Sequence, residues 1–410
     1  MDPLIKLCSS VVTDASVVQL PYYQVDELEF SVQPLDLSRY RIVEDTEVNE
    51  SNDTYNVNLI RDLVDNINLP KTKNRAENKL LNMITICKWL VEPPSDRVLE
   101  GYTLRELYSS SNSQSLRVYD CAAGPGSWSS WILSHYPNSE VVGFTIKGAD
   151  SNFHWYPELL ANPRFHGYYG DLLTEWKTNT ELVKNTHFTA DHGGSGADLF
   201  MSDGGLRFEN LVSDQIYIGS IEQQKILIAG RMKLILAQIL AALNVTAING
   251  SIIIKLFDID HPVLHQLLTV LGMCCKYSTI VKLITSRSQN REMFYIGLYR
   301  KPRVEAEILV LSDILNRWEE LYPMTIVKQI PRSVQQFFEL VINEESDNHT
   351  QAVEMGDRLS ELLRIGDSRS GERLKKSELI HQDLSKYQLY PDMNRYILYS
   401  VLGLMLNYIH

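Results

Sequence analysis

From Arg117 to Trp128 the chain reads RVYDCAAGPGSW. Arg117–Cys121 is short and apolar enough to be a strand buried on both faces. Small and turn-forming residues follow, and from Ser127 the apolar positions take helical spacing. A strand, a small-residue turn and a helix bring backbone close to a ligand at the carboxyl edge of a parallel sheet. A dinucleotide site would place a third glycine at position 129 to seat a pyrophosphate, but that position is Ser129, preceded by Trp128. No Gly-Lys-Ser/Thr follows, so the turn is not a P-loop. A ligand without a pyrophosphate fits the turn better.

Outward from this turn, strand candidates recur at Val141–Ile146, Phe165–Tyr169, Asp198–Ser202, Ser251–Leu256, Ile280–Thr285 and Met293–Tyr299. Helical spacing lies between them, over Gln215–Val245 and Pro262–Cys274. Alternating strands and helices predict an α/β, doubly wound sheet with right-handed crossovers. Residues 303–410 lack that alternation and read as a helical C-terminal region, with helical spacing at Ile308–Leu321 and Val334–Ile342. Residues 1–65 carry the acidic run EDTEVNESNDT and read as an N-terminal extension. The expected organisation is therefore 1–65, 66–302 and 303–410.

Composition sets the outer bounds. The 410 residues are 44% apolar and 22% charged, with 15 Pro and 21 Gly. This excludes a disordered, collagenous or disulfide-stapled chain. The most apolar stretch, Leu234–Leu243, is about half the ~20 residues a membrane span needs. Five scattered cysteines without metal-ligand spacing read as reduced thiols, and no secretory signal is visible. The expectation is an intracellular protein, cytoplasmic rather than nuclear, without a membrane or a metal site. A net charge of −12 argues against a surface coated in nucleic-acid-binding charge, but allows a confined basic groove.

Charged residues stand where the strands end. Asp203 follows the fourth strand in SDGG, and Lys255 lies inside the apolar run IIIKLFD. A buried, unpaired lysine costs several kcal/mol, so it has either a partner or a head that reaches out of the strand end. Glu292 ends TSRSQNRE before the last strand, and Lys79 sits in NRAENKL. Asp171, in Gly170-Asp171-Leu172, could accept from an adenine amino group, and Phe144 and Thr145 end the second strand. Over about residues 71–302, the segments NRAENKL, DCAAGPGSW, SDGG, IIIKLFD and TSRSQNRE resemble the FtsJ-like RNA ribose 2′-O-methyltransferases. Within that family they are most similar to enzymes that form cap-1 on messenger RNA. The resemblance implies a Rossmann-like methyltransferase sheet of seven strands with the last antiparallel. It also implies a Lys79-Asp203-Lys255-Glu292 catalytic tetrad. S-adenosylmethionine would be held by Cys121, Ala122, Ala123, Gly124, Pro125, Gly126, Ser127 and Trp128, with Phe144, Thr145, Asp171, Leu172 and Asp203.

A ribose 2′-hydroxyl is a poor nucleophile, and an ordinary lysine of pKa ~10.4 is charged at neutral pH. Desolvation and a second cation lower such a pKa, whereas neighbouring carboxylates raise it. The expected division of labour puts Lys255 at the attacking oxygen and Lys79 as the second cation. Asp203 and Glu292 would orient the two. Lys71, Lys73, Arg75, Lys147, Arg287 and Arg291 flank these motifs and are candidates to line a groove for capped single-stranded RNA. Phe153, Trp155, Tyr156, Tyr168 and Tyr169 are candidate cap-stacking rings, with core packing the commoner role for each. Other capping or polymerase subunits are expected partners of the C-terminal region. Competing readings are a ribosomal or transfer RNA 2′-O-methyltransferase and a catalytically silent subunit of a capping assembly. A nicotinamide-dependent oxidoreductase is disfavoured by the missing third glycine.

Overall fold

The structure, a computed structural model, describes residues 22–38, 40, 76, 77, 79, 80, 83, 116–148, 154–188, 196–206, 221–283 and 292–343. After an early strand, β1 (Phe30–Pro34), the chain builds a sheet around β2 (Arg117–Cys121). β3 (Glu140–Thr145) and β5 (Ala197–Ser202) flank β2 in parallel. β4 (Phe165–Tyr169) and β6 (Thr246–Leu256) extend the parallel set on either side. β8 (Met293–Arg300) inserts antiparallel between β6 and the edge strand β7 (Cys275–Val281). The order β4-β3-β2-β5-β6-β8-β7 is the expected seven-stranded α/β sheet. Its first reversal, on either side of β2, opens a crevice at the carboxyl edge.

Helices cover both faces. α1 (Ser127–His135) packs on the face carrying Val118, Leu199, Met201, Ile253 and Phe294, where Leu80 and Met83 also lie. The short α2 (Pro157–Leu160) precedes β4. The other face carries Tyr119, Val142, Phe144, Phe200, Ile252 and Ile254 beneath α3 (Leu172–Thr186), α4 (Ile221–Val245) and α5 (Pro262–Met273). Alternation along each strand sends successive residues to these two cores.

α4 and β7 bear on two of the expectations. α4 is 25 residues long, so by length and composition it could cross a bilayer, unlike the ten-residue stretch singled out in the sequence. It packs on α3, α5, α6 (Glu305–Asn316) and β6, with two-thirds of its most apolar window buried. That makes it a core helix, its second half, Ile235–Leu243, buried on every side. The strand expected at Ile280–Thr285 pairs instead over Cys275–Val281. It begins directly after the α5 C-cap Cys274, so no loop marks its start.

Beyond residue 302, α6, the short α7 (Trp318–Leu321) and α8 (332–343) bear out helical spacing. The region is not wholly helical, however: β9 (Met324–Val327) pairs antiparallel with β1. Gln266 of α5 accepts from the Ile326 and Val327 amides, both at 3.0 Å, and holds that ribbon on the domain. Tyr23, upstream of β1, donates to the Leu268 carbonyl at 2.8 Å and packs against Phe337 and Phe338. Residues 22–38 are thus bound into the same core as residues 304–341. The amphipathic run at Met355–Ile365, the basic run Arg373–Lys376 and the acidic run near Glu44 lie outside the described residues.

Candidate active site

The turn after β2 is stitched to its neighbours by backbone bonds. Ala123 N donates to Phe144 O at 3.1 Å, Gly126 N to Ala123 O at 2.7 Å, and Tyr156 N to Pro125 O at 3.0 Å. Ala122 (φ 55) and Gly126 (φ 103) adopt left-handed backbone. A Cβ at Gly126 would lie 2.3 Å from Leu159 Cδ2 and 3.3 Å from Trp155 Cε3. The space beside this glycine is therefore filled by the α2 segment, where the sequence reading left it for a ligand. Gly126→Val is expected to cost roughly 1–3 kcal/mol of folding stability through overpacking and to weaken ligand binding by displacing the turn. Thermal melts and donor calorimetry check this. Lost donor affinity at unchanged melting temperature would restore the ligand-facing reading.

Other residues expected at a ligand have identifiable roles. Trp128 is buried, donates to the Ala76 carbonyl at 2.6 Å, and packs on Phe294 with ring centroids 6.2 Å apart. It thereby ties the turn to the helical stretch that carries Lys79. Ser127 Oγ lies 3.2 Å from Tyr156 Oη. Cys121 is fully buried, and burial, followed by the charge of Asp120, pushes its thiol far up. Phe144, Thr145 and Leu172 have buried side chains. Asp171 caps α3, its Oδ1 accepting from Leu173 N at 2.9 Å. Ala122, Ala123, Gly124 and Pro125 are partly exposed at the turn itself.

Asp120, which the sequence reading did not single out, stands at the head of the turn with 1% of its surface exposed. Its Oδ2 accepts from Ser129 N at 3.1 Å and Ser129 Oγ at 2.6 Å, while Oδ1 has no hydrogen-bond partner among the described residues. Burial pushes its pKa up to about 7, and the nearby charge of Asp203 adds to that against the pull of Ser129. The signal was present in the first quoted stretch, where an aspartate occupies a wholly buried strand.

The structure brings the four charged candidates together in two pairs. Lys255 is the penultimate residue of β6, so its stem stays in the sheet while its amine reaches past the edge. Lys255 Nζ donates to the Asp203 carbonyl at 2.6 Å and lies 3.0 Å from Asp203 Oδ1. Lys79 Nζ lies 2.6 Å from Glu292 Oε1. Lys282 donates to the Glu292 carbonyl at 2.9 Å, fixing the approach to β8. Register joins the pairs: Lys255 is the Cα partner of Phe294, and Lys79 Nζ sits 5.6 Å over the Phe294 ring. Lys255 has three donors, of which one bonds the Asp203 carbonyl, while Asp203 Oδ1, 3.0 Å away, is its counter-ion without a hydrogen bond among the described residues. Gly205 keeps space beside this amine open, since a Cβ there would lie 3.3 Å from Lys255 Nζ.

A further cation at this edge escaped the sequence reading. Arg231 of α4 lies 4.8 Å over the Phe257 ring, whose centroid is 5.4 Å from Lys255 Nζ, and pairs with Asp258 at 3.1 Å. Periodicity cannot reveal a contact between a mid-helix arginine and a strand end.

Of the groove candidates, Lys147 is exposed just past β3. Lys71, Lys73, Arg75, Arg287 and Arg291 lie outside the described residues, as does Phe153. Trp155 is buried against Phe165 and Tyr169, at 5.1 and 6.0 Å. Tyr156 bonds Ser127, and Tyr168 bonds His187 Nε2 at 2.8 Å. Tyr169, with 41% of its surface exposed, is the candidate ring most open to solvent among those described. One cluster was not visible in the sequence: Glu140, His166 and His187 place three possible metal-ligand atoms within 4.8 Å of one another. They are too far apart in sequence to form a spacing motif.

Together the sheet order and the paired residues at its carboxyl edge make a Rossmann-like sheet with charged side chains gathered where such sheets bind ligands. Residues 73–300, more than half of the chain, match the FtsJ-like methyltransferase family, and the chain belongs to it. It is similar to cap-specific mRNA (nucleoside-2′-O-)-methyltransferase 1 of Drosophila melanogaster, 28% identical over 248 residues, covering 59% of this chain and 28% of that protein. The Danio rerio protein of the same name is 28% identical over 275 residues, covering 62% of this chain and 31% of that protein. The chain therefore spans under a third of the length of these relatives. A solved structure described as a ribosomal RNA methyltransferase of Plasmodium falciparum is 16% identical with a TM-score of 0.34, covering 48% of this chain and 93% of that one.

Proposed function

We propose that the chain methylates the ribose 2′-hydroxyl of RNA with S-adenosylmethionine, acting on the first transcribed nucleotide of capped mRNA. The observation that carries this is the placement of Lys255–Asp203 and Lys79–Glu292 at one sheet edge, beside the small-residue turn. The donor supplies a methyl group on a sulfonium sulfur. The residues present fit such a cation: Asp120 and Asp203 interact repulsively across this edge, and Asp120 Oδ1 is a buried acceptor still to be satisfied. A bound positive charge would relieve that repulsion.

For the acceptor, Lys255 directs an N–H at the 2′-oxygen and stabilises the negative charge that develops there as the methyl passes from sulfur to oxygen, the donor leaving as a neutral thioether and the hydroxyl proton passing to solvent. Asp203 fixes the direction of that amine through its carbonyl and balances its charge with a carboxylate oxygen 3.0 Å away. Glu292, 5% exposed, holds Lys79 beside Phe294, which supplies the second cation of the site. Such positioning can lower a barrier by roughly 7–11 kcal/mol at best. Cytoplasmic placement, and partnership of the C-terminal region with other capping or polymerase subunits, belong to the same reading. The similarity to cap-specific mRNA methyltransferases favours a capped substrate over ribosomal or transfer RNA.

Mass analysis of a short capped RNA after incubation with the chain and donor tests this. One added methyl group on the first nucleotide's ribose is expected. Methylation of uncapped structured RNA alone would move the substrate class, and donor binding without turnover would favour the silent-subunit reading.

A further inference from the structure

Far from the turn, at the amino edge of the same sheet, Glu140 opens β3 and His166 lies on β4. Glu140 is two residues before Val142, the Cα partner of His166, so both side chains leave the same face. α3 covers that face, and its C-cap residue is His187. His166 Nε2 and His187 Nδ1 each approach Glu140 Oε1, at 3.0 and 3.1 Å. The imidazole centroids are 4.1 Å apart. All three side chains are partly exposed, with 30% of Glu140, 32% of His166 and 13% of His187 accessible, so an ion can reach them.

We infer that Glu140, His166 and His187 form a site for a divalent first-row transition-metal ion of the Zn²⁺ class, with a fourth position open to water. The donor set, two imidazole nitrogens and one carboxylate oxygen, is one such ions favour. Tetrahedral bonds of about 2.0–2.1 Å separate neighbouring donors by about 3.3 Å, close to the spacings from Glu140 to each histidine. The outer shell is built as well: His187 Nε2 lies 2.8 Å from Tyr168 Oη, which fixes the ring with Nδ1 toward Glu140. The ion would join β3, the edge strand β4 and the end of α3. β3 rises through five residue steps from Glu140 to Thr145, about 16 Å, so this clip is remote from the proposed methyl-transfer edge and independent of it.

Co²⁺ titration of the chelator-treated full chain tests the assignment. One equivalent is expected to bind with the visible absorption of tetrahedral cobalt, without the strong thiolate band that a cysteine ligand gives. Zn²⁺ should displace it and raise the melting temperature. Glu140→Gln and His166→Gln should each weaken Co²⁺ by more than Tyr168→Phe, which removes only the outer-shell bond and should cost about tenfold or more. Circular dichroism verifies folding, and Tyr168→Phe, which keeps the ring in place, guards against a misfolded ligand variant. Failure of the wild-type chain to bind Co²⁺ at saturating excess, or unchanged affinity in all three variants, would overturn the proposal and leave a hydrogen-bonded cluster.

Discussion

Lys255→Ala is expected to lower methyl transfer by about 10²–10³-fold, the range that losing one donor to a developing oxyanion costs, while S-adenosylmethionine affinity changes little. The separation follows from geometry. Lys255 Nζ is held by Asp203 beyond the end of β6, whereas the turn that would meet the donor is bonded to Phe144 and Tyr156 and owes nothing to Lys255. Folding should survive, because the residue lies one position from the strand end and most of the strand's burial comes from Ile252, Ile253, Ile254 and Leu256. Asp203 would lose its cation, so Lys255→Arg is a sharper companion. It keeps the charge but sets a planar fork where a single tetrahedral amine pointed, and should stay nearly as slow. Single-turnover methylation of capped RNA and donor calorimetry measure the two quantities separately. Turnover above a tenth of wild type, a loss under ~1.4 kcal/mol, would remove Lys255 from the reaction.

Much of this was legible because the informative residues are local or sit at strand ends. RVYDCAAGPGSW declares its own strand, turn and helix, and an apolar run interrupted by Lys255 demands a partner or a way out at a sheet edge. β2 and β4 were placed to the residue. What stayed hidden depends on distant pairing. Met324–Val327 is four residues long, too short for any period to show, and becomes a strand only because Phe30–Pro34 lies beside it. Glu140, His166 and His187 are spread over three elements, and only the β3–β4 register and the end of α3 unite them. Gly126 misled in a different way. A glycine in a ligand-type turn suggests room for a ligand, yet here the room is taken by Leu159 and Trp155, and only packing reveals which neighbour a missing Cβ admits.

The second large effect belongs to Asp120 and is one of stability. An aspartate with an ordinary pKa of 3.8 when unfolded, pushed up to about 7 when folded, binds a proton in the native state that the unfolded chain has already released. Between these pH values the native state holds more protons, so this group's contribution to stability falls as pH rises, by about 1.4 kcal/mol per unit. It is level below about pH 4 and again above about 7. The full loss approaches roughly 4 kcal/mol. Asp120→Asn keeps the shape and an oxygen that can still accept from Ser129, but has no proton to lose. Relative to wild type it should therefore gain stability steadily from about pH 4 to 7, then hold the gain. Subtracting the two urea-unfolding profiles cancels the titrating groups that do not feel Asp120, so the difference reports Asp120 with its coupling to Asp203. The same substitution should weaken S-adenosylmethionine, because an ionised Asp120 beside Asp203 offers the negative charge that a sulfonium requires. Wild-type donor binding should accordingly take up less than its full strength below pH 7 and release protons near that pH. A stability difference flat across the whole range would show that Asp120 titrates normally, and donor affinity would then show no dependence on pH near 7.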